Sequence, residues 1–131
     1  MMKRTIWAVV AVFVAWSILD FILHGLLLKS AYEATANLWR PMDQMNMPLM
    51  YLVTLVSTTC FVLIYGLLVG QKSLATGIKY GALFGLSAGI VMGFGSCTYM
   101  PIPVSMAWAW FFGSWIKAIA AGAIVGSIVK P

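Results

Sequence analysis

Gly77-Ile78-Lys79-Tyr80-Gly81-Ala82-Leu83-Phe84-Gly85-Leu86-Ser87-Ala88-Gly89-Ile90-Val91-Met92-Gly93 sets a glycine at every fourth position of an apolar run. In water each glycine would cost a helix about 1 kcal/mol relative to alanine. In lipid the balance changes, because the surrounding tails are as apolar as leucine and helices associate through close packing of small residues. Positions four apart lie on one slanted ridge of a helix. The stretch therefore predicts a membrane helix with a groove along one face. A second small-residue row, Ser114, Ala118, Gly122 and Gly126, has the same spacing and is the expected partner. The plain reading of Gly77, Gly81, Gly85, Gly89 and Gly93 is a packing surface, used within the chain, between copies, or against a larger membrane complex.

The rest of the composition agrees with a lipid environment. The 131 residues are 63% hydrophobic and 8% charged, and the mean hydropathy is +0.98. Soluble domains carry about 25% charged residues. The chain leaves no room for a separate soluble domain, so residues 1–131 read as a single transmembrane domain. The net charge of +5 is no nucleic-acid signal, because the eight basic residues never cluster beyond the Lys3–Arg4 pair. Cys60 and Cys97 are far apart and form no C-x-x-C motif, which argues against a thiol oxidoreductase.

Four apolar segments are each close to the ~20 residues that cross a ~30 Å hydrocarbon layer: about 6–28, 48–70, 80–97 and 104–129. Lys3 and Arg4 before the first of them could suggest a signal peptide. The run is too long for that, and no small-x-small cleavage site follows it, so a retained helix is expected. Inside lipid every backbone group must be satisfied within its segment, which makes all four helices. The expected fold is an all-α, integral-membrane four-helix bundle. Lys3, Arg4, Lys72, Lys79 and Lys130 fall on one side, whereas Lys29 and Arg40 are balanced by Glu33 and Asp43 on the other. The positive-inside rule then places both termini in the cytoplasm.

The first outer connection, from Lys29 to Met47, reads as a short interfacial helix at about 30–39. Tyr32 and Trp39 would sit at headgroup level, Ser30 and Glu33 would form a capping box, and Pro41 would end the helix. Thr98-Tyr-Met-Pro101-Ile-Pro103 is a tight apolar turn stiffened by two prolines.

Three motifs carry a resemblance: Leu19-Asp20-Phe-Ile-Leu-His24-Gly25, then Tyr32 with Leu38-Trp39-Arg40-Pro41, then Met100-Pro-Ile-Pro103. Together they resemble a group of uncharacterised small four-span bacterial membrane proteins. The resemblance implies a four-helix fold in the bacterial inner membrane and nothing about activity.

Chemistry-bearing residues inside the spans are few. Asp20 and His24 are four apart and share a helix face, with Ser17 beside them. Ionisable groups at such depth face the bundle interior or a cavity. At about 1.5 Å rise per residue, Asp20 falls roughly 5 Å outside the midplane and Lys117 close to it, so the two can pair. Thr54, Ser57, Thr58 and Thr59 of the second span lie at similar depth and could complete one polar cluster. Such a cluster either fixes helix register or serves as a site for a proton, an ion or a small ligand. One histidine cannot make a bis-His haem site; His–Met ligation stays formally open, but such a histidine more often hydrogen-bonds at the interface, and no cofactor is expected.

Apart from Met1 and Met2, all seven methionines fall on the expected outer side. They are Met42, Met45, Met47, Met50, Met92, Met100 and Met106. Thioethers favour Cu(I), so Met42, Met45, Met47 and Met100 with His24 and Cys97 form a candidate copper set. The ordinary alternative is adaptable packing by methionine.

No Ser/His/Asp set, phosphate loop or H-E-x-x-H motif is present, and an enzyme is not expected. Three functions remain: an accessory subunit packing through small-residue ridges, a small proton- or cation-coupled transporter using Asp20, and a copper-handling protein. The small multidrug exporters also have four spans and an essential acid in the first. They use Glu in a sequence setting absent here, and a Lys117 paired with Asp20 would neutralise it. The expected partners are the lipid bilayer and other membrane subunits or further copies, with no nucleic acid.

Overall fold

A computed structural model of the chain describes residues 2–131; Met1, the first residue of the expected domain, lies outside them. Five helices are joined by short connections: α1 (Met2–Leu27), α2 (Lys29–Ala34), α3 (Met47–Leu68), α4 (Leu74–Gly95) and α5 (Val104–Ile128). Among the described residues there is no strand. All but α2 are long and apolar enough to cross a membrane, which fits a multi-pass membrane protein built as a helix bundle.

Local chemistry sets the helix ends. Asn46 caps α3 by accepting the Leu49 amide N–H at 3.0 Å, and Pro48 occupies its first turn. Ser73 caps α4 by accepting the Thr76 amide N–H at 3.0 Å. That cap starts the third span at Leu74 rather than near residue 80, so Lys79 lies within the helix and keeps its side chain exposed. Such an ammonium reaches back towards the membrane surface along its stem. Tyr65 clamps the same connection, its hydroxyl donating to the Ser73 carbonyl at 3.0 Å and accepting the Ser73 N–H at 3.2 Å.

The first connection is less regular than one helix over 30–39. After α2 come two short 3₁₀ turns, Ala36–Leu38 and Met42–Gln44. The Ser30–Glu33 capping box does not form. Only Leu28 separates α1 from α2, and its carbonyl already accepts the Tyr32 amide at 2.9 Å, which places Ser30 inside the helix. Thr35 then breaks the helix, its hydroxyl donating to the Ala31 carbonyl at 2.8 Å and accepting the Trp39 indole N–H at 2.9 Å.

Two helices widen along their length. α1 is α-helical to Asp20 and π-helical over Phe21–Leu27, and the Leu28 amide bonds the Leu23 carbonyl five residues back at 2.8 Å. α4 is α-helical to Ile90 and π-helical over Val91–Gly95.

The most intimate contact is between α4 and α5. A Cβ on Gly77 would run into the Gly122 carbonyl, one on Gly81 into the Ala118 carbonyl, and one on Gly93 into the Ala107 carbonyl. At Gly89 it would lie 2.8 Å from the Phe111 carbonyl oxygen, and at Gly85 2.6 Å from the Ala118 Cβ. The two backbones touch, which glycine alone allows. The partner surface on α5 runs Ala107, Phe111, Trp115, Ala118, Gly122 and Gly126. Ser114 is not in it: the contact line on α5 takes a three-residue step from Trp115 to Ala118, which carries it past Ser114.

α1 packs on α5 and α3 packs on α1. One apolar layer gathers Ala8, Val12 and Trp16 with Phe61, Val62 and Tyr65 of α3 and Ala121, Val125 and Val129. Rings bridge α3 to α4 there, with Phe61 4.6 Å from Tyr80 and 4.9 Å from Phe84 between centroids, and the Tyr80 hydroxyl donates to the Phe61 carbonyl at 2.7 Å. A second layer gathers Leu28, Ile102, Met106, Ala107 and Trp110. Polar groups of α1 and α5 lie between the two layers. α3 joins the bundle by its second half only: Thr58, Phe61, Val62 and Tyr65 are buried, and no residue from Met47 to Ser57 is.

Candidate functional site

The polar layer is built where α1 and α5 run side by side. Going along α1, buried Ala8, Val12 and Trp16 give way to Asp20 and His24; along α5, Val125 and Ala121 give way to Lys117 and Ser114. The Lys117 ammonium lies 2.6 Å from Asp20 Oδ1. The same two helices are pinned one turn away, where the Trp16 indole N–H donates to the Lys117 carbonyl at 2.9 Å. The ammonium also stands 5.3 Å from the centroid of the Trp16 ring, within cation–π range.

From Asp20 the chain of polar groups continues through His24. His24 Nε2 is 4.0 Å from Asp20 Oδ1, too long for a hydrogen bond, and Nδ1 is 2.5 Å from the Tyr32 hydroxyl. That hydroxyl also accepts the Trp110 indole N–H at 2.8 Å. Indole nitrogen can only donate. The Tyr32 hydroxyl keeps its proton and a second lone pair for His24 Nδ1, so the two side chains are hydrogen-bonded in either imidazole tautomer. Burial pushes the Tyr32 pKa up, and the Trp110 N–H opposes that without cancelling it, so the phenol holds its proton. Trp39 closes the far side, its ring 5.5 Å from Tyr32 and 5.9 Å from Trp110 between centroids.

A cavity of about 120 Å³ opens beside these groups, walled by Asp20, His24, Ser114, Lys117, Trp110 and Met92, with Leu23. Leu23 and His24 belong to the π-helical part of α1 and Met92 to that of α4. Both widened turns thus face one space. Inserted turns of this kind are frequent at functional sites.

The second span does not join this cluster. Thr54 and Thr59 donate to carbonyls four residues back, those of Met50 and Leu55, at 3.1 and 2.8 Å. Ser57 is exposed, and Thr58 is buried with an unpartnered hydroxyl. The physical reason is that α3 leans on α1 through residues 58–65 while the charges sit between α1 and α5. Ser17 is half-buried, and no hydrogen bond links it to Asp20.

The soft-ligand set is not assembled either. Cys97 and Met100 pack together in the second apolar layer, and the Cys97 thiol lies 3.9 Å from the Ile102 carbonyl. Met42 is 77% exposed in a 3₁₀ turn, Met45 follows it half-buried, and Met47 opens α3. His24 Nδ1 is engaged by Tyr32. Among the described residues no three or more His, Cys, Asp or Glu are placed to hold a metal ion.

Three members of the site, Trp16, Tyr32 and Trp110, are not among the polar-cluster residues expected from the sequence. Trp110, Ser114 and Lys117 share a face at i, i+4 and i+7, so Trp110 carried a signal. Trp16 carried the same signal four residues before Asp20. Tyr32 had none, because the turn at Leu28 decides where it lands. No family model matches the chain, and neither a curated protein nor a solved structure does.

Proposed function

We propose that the protein is a non-enzymatic accessory subunit of the bacterial inner membrane, with both termini cytoplasmic and the α2 region lying in the outer interface. The observation that carries this reading is the 2.6 Å contact between Lys117 and Asp20. A proton- or cation-coupled carrier needs a carboxylate that exchanges its cargo. Here the carboxylate is held by an ammonium of the same chain, and the pair ties α1 to α5. Charge bias supports the orientation, since the net positive connections lie on one side of the spans.

The glycine row supports a change in how assembly is pictured. Gly77 to Gly93 and the facing residues of α5 are already engaged with each other. The surface we assign to a neighbour is the first half of α3, Met47 to Ser57, where no residue is buried within the chain. Gentle extraction from the native membrane followed by cross-linking through single cysteines tests the proposal. Leu52→Cys and Val56→Cys should capture a second copy or a partner subunit, and Ala82→Cys should not. Monomeric protein that captures nothing at either α3 position would overturn the accessory reading.

A further inference from the structure

We infer that the cavity between α1 and α5 receives the uncharged, hydrogen-bond-accepting ring head of a membrane-soluble molecule of the isoprenoid-quinone class, with its apolar tail lying along α4. This goes beyond the accessory reading and does not depend on it.

The first argument is solvation. Asp20, His24 and Lys117 lie between two buried apolar layers, yet their side chains remain 32, 37 and 22% exposed. All three side chains line the cavity of about 120 Å³. Hydrocarbon tails cannot satisfy such groups. The occupant must be polar where it meets them.

The second argument is the inventory of donors and charges. Lys117 has three N–H groups and directs one at Asp20. His24 Nε2 lies 4.0 Å from Asp20, too distant for a hydrogen bond, and is a further donor in the tautomer that carries its proton there. Ser114 adds a hydroxyl. The ammonium and the Ser114 hydroxyl offer donors, and Asp20 and the same hydroxyl offer acceptors, so an accepting head finds partners there. The ion pair has no net charge, which favours an uncharged head.

The third argument is shape. A groove of about 490 Å³ runs along α4 past Phe84, Ala88, Val91 and Tyr99, and it shares Met92 with the cavity. Its walls are mainly apolar. Ligand sites combine an apolar body with a few convergent polar groups in this way. The cavity of about 120 Å³ has room for a small ring. A single groove accommodates a single tail. A carbonyl-bearing ring on one isoprenoid chain meets all of these conditions. The proposal is binding alone and requires no electron transfer.

Thermal unfolding of the full chain in detergent provides the test, because a ligand that binds the folded state raises the melting temperature in a saturable way. The probe is a benzoquinone carrying a ten-carbon tail. It should raise Tm at concentrations at least about tenfold lower than decylbenzene, decanoic acid or decylamine, the difference that one good hydrogen bond supplies. His24→Phe should weaken the response by a similar factor. Met92→Trp fills the junction from a half-exposed position and should abolish the response while the protein itself melts normally. An equal response to decylbenzene would reduce the site to apolar surface, and a stronger one to either charged probe would refute the uncharged head. No response to the quinone would leave the cavity to water, of which it holds about four. Persistence of the response in Met92→Trp would place the ligand elsewhere.

Discussion

Asp20 and Lys117 meet at depth between α1 and α5, where charges have few other ways to be satisfied, and this makes them testable as a unit. Removing one partner of a buried pair costs about 3–5 kcal/mol, because the other charge is stranded. With about a third of the Asp20 side chain exposed, the loss should fall at or below the low end of that range. Asp20→Asn and Lys117→Met should each lower detergent stability, and the double variant should regain much of the loss. Additive damage in that double-mutant cycle would show that the contact does no energetic work. The pairing was open to a sequence reader, since depth along two helices limits which side chains can meet. The rest of the site was not. His24 is oriented by Tyr32, and Tyr32 reaches it because α1 widens after Asp20 and passes into α2 across Leu28 alone. Nothing in Phe21-Ile-Leu-His-Gly-Leu-Leu27 announces a π-helical turn.

At the scale of elements, the α4–α5 contact makes a sharp claim about size. A side chain on Gly89 would meet the Phe111 backbone, whereas Leu83 points outward at 71% exposure. Overpacking typically costs about 1–3 kcal/mol, and rigid backbone cannot yield as a side chain can. Gly89→Leu should therefore lower the unfolding midpoint clearly, and Leu83→Ile should leave it almost unchanged. Equal stability of the two variants would mean that α4 and α5 are not in backbone contact. The four-residue glycine period and the length of the apolar runs are features that sequence exposes, since both follow from helix geometry. The register of the contact is not one of them. Ser114 stands in the same row as Ala118 and Gly122 on paper, yet it lines the cavity and Phe111 meets the upper glycines. The threonines of α3 illustrate a related limit. Depth places them near Asp20, but only packing reveals that α3 meets the bundle through its second half, and that Thr54 and Thr59 turn back to their own helix.

For the whole molecule, the decisive quantity is which side of the membrane each connection occupies. Lys72 lies between α3 and α4, with Lys79 just inside α4. Lys3 and Arg4 begin α1, and Lys130 follows α5. An even number of spans puts these three regions on one side. The opposite side holds the long connection between α1 and α3, where Lys29 and Arg40 are offset by Glu33 and Asp43, and the uncharged turn before α5. Positive residues near span ends are retained in the cytoplasm, so the long connection should face outward. The test replaces Cys60 and Cys97 to give a cysteine-free background and then introduces one cysteine at an exposed position. Asn37, in the 3₁₀ turn after α2, and Gln71, in the α3–α4 connection, are both exposed. A membrane-impermeant thiol reagent applied to intact cells should label Asn37→Cys and spare Gln71→Cys until the membrane is opened. The reverse pattern would invert the molecule. The cavity holding Asp20 and His24 would then be reached from the cytoplasmic half of the bilayer, while every distance within it stayed the same.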